Sequence, residues 1–362
     1  MIGPGKQKIL MAPLDWGLGH ATRCIPVIRQ LLLRGFDVTL AASGRPLALL
    51  KQEFPDVRCI DFPGFSPDYP ASGSMALRML GLVPSFMRKM LAEHRKLDQW
   101  IEELGIDIVI SDNRYGLWSR KVRSVLIIHQ IRILSGKSLR FLEPLLYAVN
   151  RLLISRFDEC WIPDFEGIEN LSGKLSHAVK LPANSFFIGP LSRFSANGLH
   201  PAVEKKGILV LLSGPEPQRS ILEKKILEQL GNLSFPVTVI CGRTDSVFRD
   251  ETTGSFRILS HALSNEIGEY LRKSELVICR PGYSTIMDLA VTGGKALFIP
   301  TPGQTEQEYL AVLLKNEETA WFTTQSSLNL SADIPVALAM KGFKPLNEGG
   351  LLSNRISTLT KK

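Results

Sequence analysis

The sequence predicts an α/β protein of two Rossmann-like domains facing across a cleft, and three observations carry that prediction. Short apolar runs alternate with helical patterns along 362 residues, too long for one ordinary core and suited to two. Two series open alike: Lys8–Pro13 leads into the glycine-bearing LDWGLGH, and Gly207–Ser213 leads into SGPEPQRS. Third, residues 275–311, ELVICRPGYSTIMDLAVTGGKALFIPTPGQTEQEYLA, read as strand, tight loop, helix, strand, loop and helix. The expected bounds are a first domain over 1–192, a polar linker over 193–206 and a second domain over 207–362.

Composition narrows the classes. Hydrophobic residues at 44% and charged residues at 22% are ordinary for a soluble globular protein. No apolar run approaches the roughly 18 residues of a membrane span, and MIGPGKQKIL lacks the apolar core of a signal peptide. Five scattered cysteines without Cys-x-x-Cys pairing argue against a disulfide framework or a zinc site, so a reduced, cytoplasmic protein is expected. Of the formal charge of +8, residues 1–198 hold most, with 25 Lys and Arg against 18 Asp and Glu. A basic half suits an anionic membrane face or a phosphorylated substrate. Nucleic acid is not expected as a partner, because the basic residues are dispersed and no reading motif is present.

In the first series Lys8–Pro13 is a strand, Gly17 and Gly19 allow a close turn, and His20 stands where a helix begins. Phe36–Ala42 and Val57–Asp61 extend the sheet. After a Pro- and Gly-rich loop, Met75–Val83 holds one charge, Arg78, before Pro84 interrupts the helix and Arg88, Lys89, Arg95 and Lys96 follow. That segment is expected either to pack on the sheet or to touch a membrane. Asp107–Ser111 and Ser124–His129 are strands whose ends carry Asp112, Asn113, His129 and Gln130 toward the same cleft as His20. We read His20 as the catalytic base or its close partner, since a helix N-terminus disfavours its cation. Asp15, five residues earlier, is expected to orient the ring or replace it. Lys137–Ser155 reads as one long helix, Asp158–Pro163 as a strand, and Phe186–Arg193 as the close of the domain.

The second series begins with Gly207–Ser213, after which Ser213 and Gly214 are anion contacts ahead of a helix. Strands at 236–242 and Phe256–Leu259 and a helix at Ser264–Lys273 precede the strand Glu275–Cys279. Arg280, Pro281 and Gly282 end that strand, and the helix Tyr283–Val291 opens with Ser284 and Thr285 at a terminus that favours phosphate. One turn on, Asp288 can accept hydrogen bonds from a vicinal diol. After the strand Lys295–Pro300, the loop Thr301–Thr305 delivers Glu306, Gln307 and Glu308 to the same sheet edge. A helix cap and a solvated carboxylate would explain either half alone; together they describe a nucleotide-sugar pocket.

RPGYSTIMDLAVTGGKALFIPTPGQTEQEYLA resembles the donor-binding region of glycosyltransferase family 28. The resemblance implies a GT-B enzyme using a nucleoside-diphosphate sugar, usually a UDP-sugar, as co-substrate. It implies Ser284 and Thr285 at the diphosphate turn, Asp288 in place of a ribose-binding Glu, and Gln307 as a donor-sugar contact. Arg280 and Gly282 are counted with them, and Arg193 falls on a nucleotide-contacting Arg. Gly19, His20 and Pro26 match the family's glycine-rich loop, and His129-Gln130 its short His motif. Asp288 is one methylene shorter than the family's Glu, and Glu308 stands where a second Gln is usual. Residues 112–116, DNRYG, replace the family's second glycine-rich loop, so the peptidoglycan precursor is not carried over as acceptor.

The reading is an inverting, metal-independent transferase with no cofactor. Helix-end N–H groups can steady a leaving diphosphate, and the chain contains no Asp-x-Asp triplet, Asp164-Phe-Glu166 coming nearest. The basic first domain suggests a lipid-linked or cell-envelope acceptor and peripheral attachment at the inner membrane face. A GT-B nucleotide-sugar 2-epimerase and a non-catalytic nucleotide-sugar-binding protein are the rivals.

Overall fold

The computed structural model describes residues 6–64, 75–194, 205–231, 233, 235–243, 247–346 and 349–359, the side chains of 75–80, 82, 137 and 138 excepted. Contacts divide them into two units: residues up to 64, 76–191 and 349–359 form unit 1, and 192–346 form unit 2. The last described residues therefore join unit 1 and not the C-terminal domain expected from sequence. Most of the expected linker, residues 195–204, lies outside the described residues.

Unit 1 runs β1 (Lys8–Pro13), α1 (Leu18–Leu33), β2 (Asp37–Ala42), α2 (Gly44–Glu53), β3 (Arg58–Asp61), α3 (Met75–Leu104), β4 (Ile108–Asp112), β5 (Arg123–Ile127), α4 (Glu143–Ile154), β6 (Glu159–Ile162) and β7 (Ser185–Phe187). Its sheet has the order β3-β2-β1-β4-β5-β6-β7, and every pairing is parallel. Parallel strands are covered on both faces, which is why KILMAP and IVISD are apolar almost throughout. Leu10, Val109, Leu97 and Trp100 pack on one face. Two helices depart from expectation. α3 continues through Pro84 as one 30-residue helix; Pro84 is exposed, so water can serve the carbonyl that its missing N–H leaves over. The long helix expected over Lys137–Ser155 is instead a 3-10 turn, Lys137–Leu142, followed by α4, in whose first turn Pro144 lies, a position that suits a residue without an N–H.

Unit 2 runs β8 (Ile208–Leu211), α5 (Gln218–Leu230), β9 (Val237–Ile240), β10 (Asp250–Thr253), β11 (Phe256–Leu259), α6 (Ser264–Lys273), β12 (Leu276–Cys279), α7 (Tyr283–Thr292), β13 (Lys295–Phe298), α8 (Thr305–Asn316), β14 (Trp321–Phe322) and α9 (Leu330–Ala339). Its sheet order is β10-β11-β9-β8-β12-β13-β14, with only β10 antiparallel. Val210, Ile278, Leu297, Leu222 and Ile226 are buried together. The chain then returns to unit 1 as α10 (Leu351–Ser357), where Arg355 pairs with Glu159 at 2.6 Å and lies over the Phe186 ring.

Each sheet reverses its winding direction once, between β1 and β4 in unit 1 and between β8 and β12 in unit 2. The carboxyl ends of such strand pairs diverge into crevices, the usual ligand positions of open α/β sheets. Among the described residues no helix is long and apolar enough to cross a membrane.

Candidate functional site

At the unit 1 reversal, β1 feeds a turn ending at Gly17, whose φ of 75° is readily adopted by glycine, and α1 begins at Leu18. His20, Arg23 and Cys24 share the face of its first turns. β1 and β4 pair so that Pro13 lies opposite Asp112, which carries that carboxylate to the start of α1. His20 Nδ1 lies 2.6 Å from Asp112 Oδ1. A carboxylate only accepts, so Nδ1 carries the proton and Nε2 keeps the lone pair. Arg23 chelates the same carboxylate, donating from Nη2 to Oδ1 at 2.6 Å and from Nε to Oδ2.

Arg23 Nη1 also donates to His129 Nδ1 at 2.9 Å; Nη2 sits 3.0 Å from His20 Nδ1, and both meet Asp112 Oδ1 at the shorter 2.6 Å. Asp112 and Arg23 are buried, and His20 retains 16% exposure. Burial, then the Arg23 charge, hold the His20 pKa below its ordinary 6.5 against the opposing pull of Asp112. Burial by itself would raise Asp112, but Arg23 and His20 outweigh it and keep the carboxyl well below its usual range.

Asp15 does not take the role expected of it. Its two oxygens accept from the backbone N–H of Ser43 at 3.1 Å and of Gly64 at 2.6 Å, tying the β1 loop to those after β2 and β3. The ring's partner is Asp112. Asn113 adopts φ 57° just past β4, with its N–H on the Ile127 carbonyl, and the Gln130 carbonyl accepts from Asn150. Gly19 lies in the first turn of α1, where its carbonyl accepts from Thr22 Oγ1. His129 stands two residues beyond β5, inside the charged cluster.

At the unit 2 reversal, three adjacent strands end together. Ser213 and Gly214 follow β8, Arg280 to Thr285 follow β12, and Thr301 follows β13. Gly214, at φ 108°, faces Thr301: a side chain built there would come 3.9 Å from Thr301 Oγ1. Thr301 is fully buried and its hydroxyl has no hydrogen-bond partner among the described residues. Gly282 stands at the N-cap of α7, and Ser284 and Thr285 lie in the first turn behind it. Among the described residues the Gln307 Oε1 accepts the Thr301 N–H at 2.8 Å and its amide nitrogen has no acceptor. Glu308 is exposed and accepts from the Gly303 N–H at 3.1 Å.

Three donor-site expectations change. Arg280 is buried with its guanidinium on the carbonyls of Ile299, Pro300 and Gln218 and on the Gln325 side chain. It braces the loops and is not turned to a ligand; burial lowers its pKa to about 10. Asp288 is not a solvated surface charge but a buried carboxylate, accepting from Ser192 Oγ at 2.8 Å and paired with Arg193 at 3.3 Å. Burial raises its pKa against the opposing effects of Arg193 and Ser192. A carboxylate has about four lone-pair directions, and the Ser192 hydroxyl with the backbone and side-chain N–H groups of Arg193 takes up about three, leaving room for about one more donor. Arg193, also expected to contact the nucleotide, spends its charge on Asp288 and stacks on Phe194.

Arg23, Ser192 and Thr301 are not among the site residues expected from sequence. Arg23 alone carried a signal, standing three residues after His20 and hence on the same helical face. Among the described residues no three His, Cys, Asp or Glu side chains gather as a metal site.

Residues 218–340 match the family model of the glycosyltransferase family 28 C-terminal domain. A Methanosarcina acetivorans protein named as an uncharacterized glycosyltransferase is 25% identical over 331 residues, covering 86% of this chain and 84% of the relative. The UDP-N-acetylglucosamine–N-acetylmuramyl-(pentapeptide) pyrophosphoryl-undecaprenol N-acetylglucosamine transferase of Rickettsia bellii is 28% identical over 144 residues, 38% of this chain and 39% of its own. Arabidopsis thaliana UGT89C1, solved with UDP-L-rhamnose, superposes with a TM-score of 0.61 at 13% identity over 98% of this chain and 94% of its own.

Proposed function

We propose that this chain, a GT-B glycosyltransferase of the family 28 type that takes its sugar from a nucleotide donor, transfers that sugar to an acceptor hydroxyl with inversion and without a metal ion. The contact between His20 Nδ1 and Asp112 carries the reading, because it leaves Nε2 as a base at the carboxyl edge of β1. Nε2 takes the hydroxyl proton as the acceptor oxygen bonds to the anomeric carbon and the bond to the diphosphate breaks. Asp112 steadies the imidazolium. One displacement inverts the anomeric centre. In unit 2 the departing diphosphate meets the N-terminus of α7 with Ser284 and Thr285, and the backbone at Ser213 and Gly214. Asp288 accepts from a ribose hydroxyl, and the Gln307 amide nitrogen donates to the sugar.

We take the donor to be a UDP-sugar, a choice supported by the UDP-sugars in the names of the Rickettsia relative and the plant structure. For the acceptor we propose a lipid-linked molecule reached at an anionic membrane surface. Of the segment Met75–Val83 that suggested this, most side chains lie outside the described residues. Support comes from α4 and the turn before it, where Phe141, Leu145, Val149 and Leu152 recur on one face and stand exposed. Arg140, Arg151 and Arg156 are the exposed charges there, while Glu143 is buried on Arg132.

A thermal-shift panel of nucleotide sugars, followed by product analysis with and without acceptor, tests the reading. Turnover of donor without acceptor to a C2 epimer would replace it with epimerisation, and binding without any turnover would leave only a binding protein.

A further inference from the structure

The Arg23 guanidinium does more than fill space beneath the dyad. A lone carboxylate behind a histidine favours the imidazolium, and so tends to leave the base protonated before the substrate arrives. Here the carboxylate is already answered: Arg23 meets both Asp112 oxygens, and its third nitrogen reaches His129. Arginine only donates, so in that contact Nη1 is the donor to His129 Nδ1. Cys24, 3.7 Å from Asp112 Oδ2, is a buried thiol whose pKa is pushed far up by burial and then by Asp112, so it adds no charge. The groups facing His20 are Arg23 on α1, Asp112 at the end of β4 and His129 beyond β5, and the charges of Arg23 and Asp112 are equal and opposite.

We propose that Arg23 is a positioning residue of the transfer reaction: it cancels the charge of Asp112 while leaving Oδ1 to hold the Nδ1–H tautomer of His20, so the ring stays neutral with Nε2 ready for the acceptor proton. The proposal rests on the reading of His20 as base. Orientation and charge, which one carboxylate would impose together, are here separated. Asp112 supplies the first and Arg23 removes the second.

Histidine 15N shifts of the full chain, followed over about pH 5 to 8 where a histidine ordinarily titrates, test it without substrate. In the native protein His20 should remain the neutral Nδ1–H tautomer down to a pH below its ordinary 6.5. Titration at or above that value would overturn the proposal whether or not any variant folds. Arg23→Gln should raise the midpoint by about one to two pH units, move the acid limb of kcat/KM with it and leave donor KM unchanged. Arg23→Lys, which keeps the charge and loses the fork, should hold the midpoint and lower kcat. An unmoved midpoint in Arg23→Gln would overturn the part given to Arg23 alone. Turnover retained by His20→Ala would instead overturn the base assignment, and with it any role of Arg23 in the reaction.

Discussion

The two units place their functional residues at the same topological point and furnish it with opposite chemistry. At the β1/β4 reversal of unit 1 the side chains are ionisable and bonded to one another, His20 to Asp112, Asp112 to Arg23 and Arg23 to His129. At the β8/β12 reversal of unit 2 the charges are turned away: Arg280 onto carbonyls, Arg193 and Asp288 onto each other. Beside them stand the Gly282 start of α7, the residues Ser284, Thr285 and Thr301, and Gly214. Proton transfer needs a group of tuned charge, whereas holding a diphosphate needs fixed dipoles that do not titrate. Under the proposed function one fold would serve both, because the crevice comes from strand order and the chemistry from the loops.

Removing a charge should therefore hurt the units differently. The largest effect is expected for Asp112→Ala, which leaves the buried Arg23 uncompensated and should cost about 3–5 kcal/mol of stability, read by denaturant unfolding. A loss below 1 kcal/mol would mean that the network is not coupled as its distances imply. Next, His20→Ala should lower turnover about a hundredfold or more with donor affinity nearly unchanged. Should the mutant only melt earlier and still turn over, His20 is structural and the contrast between the units collapses.

Asp288→Ala removes a charge-assisted acceptor and should weaken UDP binding by about 1.5–3 kcal/mol, roughly ten- to a hundredfold. Unchanged calorimetric affinity would sink the ribose assignment. Acid should sharpen the contrast further. The folded-state pKa values of His20 and Asp112 lie below their ordinary values, so their stabilisation is full at neutral pH; that of His20 fades as pH falls below 6.5, and that of Asp112 below 3.8. The Asp288 pKa is raised, so its contribution runs the other way, favouring the fold at pH below 3.8 and fading as pH rises through its folded value. Unfolding followed by pH should show the part of the transition sensitive to Asp112→Ala weakening first.

The smallest effect expected is on membrane contact. Leu145→Gln with Leu152→Gln should weaken co-sedimentation with anionic vesicles several-fold, and salt should weaken it further. Equal binding to neutral and anionic vesicles at low salt would remove the support that α4 lends to a lipid-linked acceptor.

Much of the architecture was legible locally. Lys8–Pro13, Phe256–Leu259 and Ser264–Lys273 form where apolar period and Gly or Pro boundaries place them. Pro84 misled because exposure decides whether a proline ends a helix, and exposure is a tertiary quantity. Arg280 misled likewise: beside a predicted phosphate site it reads as a ligand, until the carbonyls of Ile299 and Pro300, just past β13, take up its donors.

By itself the sequence determined two α/β series, their glycine loops and a histidine at a helix start, since each depends on residues within a few positions of one another. The tertiary structure alone decided which carboxylate meets that histidine. Asp15 is five residues away, but its loop turns it onto the backbone of Ser43 and Gly64. Asp112 is 92 residues away, yet the parallel register that sets Pro13 against it brings its carboxylate to His20 and Arg23. Strand pairing is a long-range choice made by the whole buried sheet, and no local pattern around His20 encodes it.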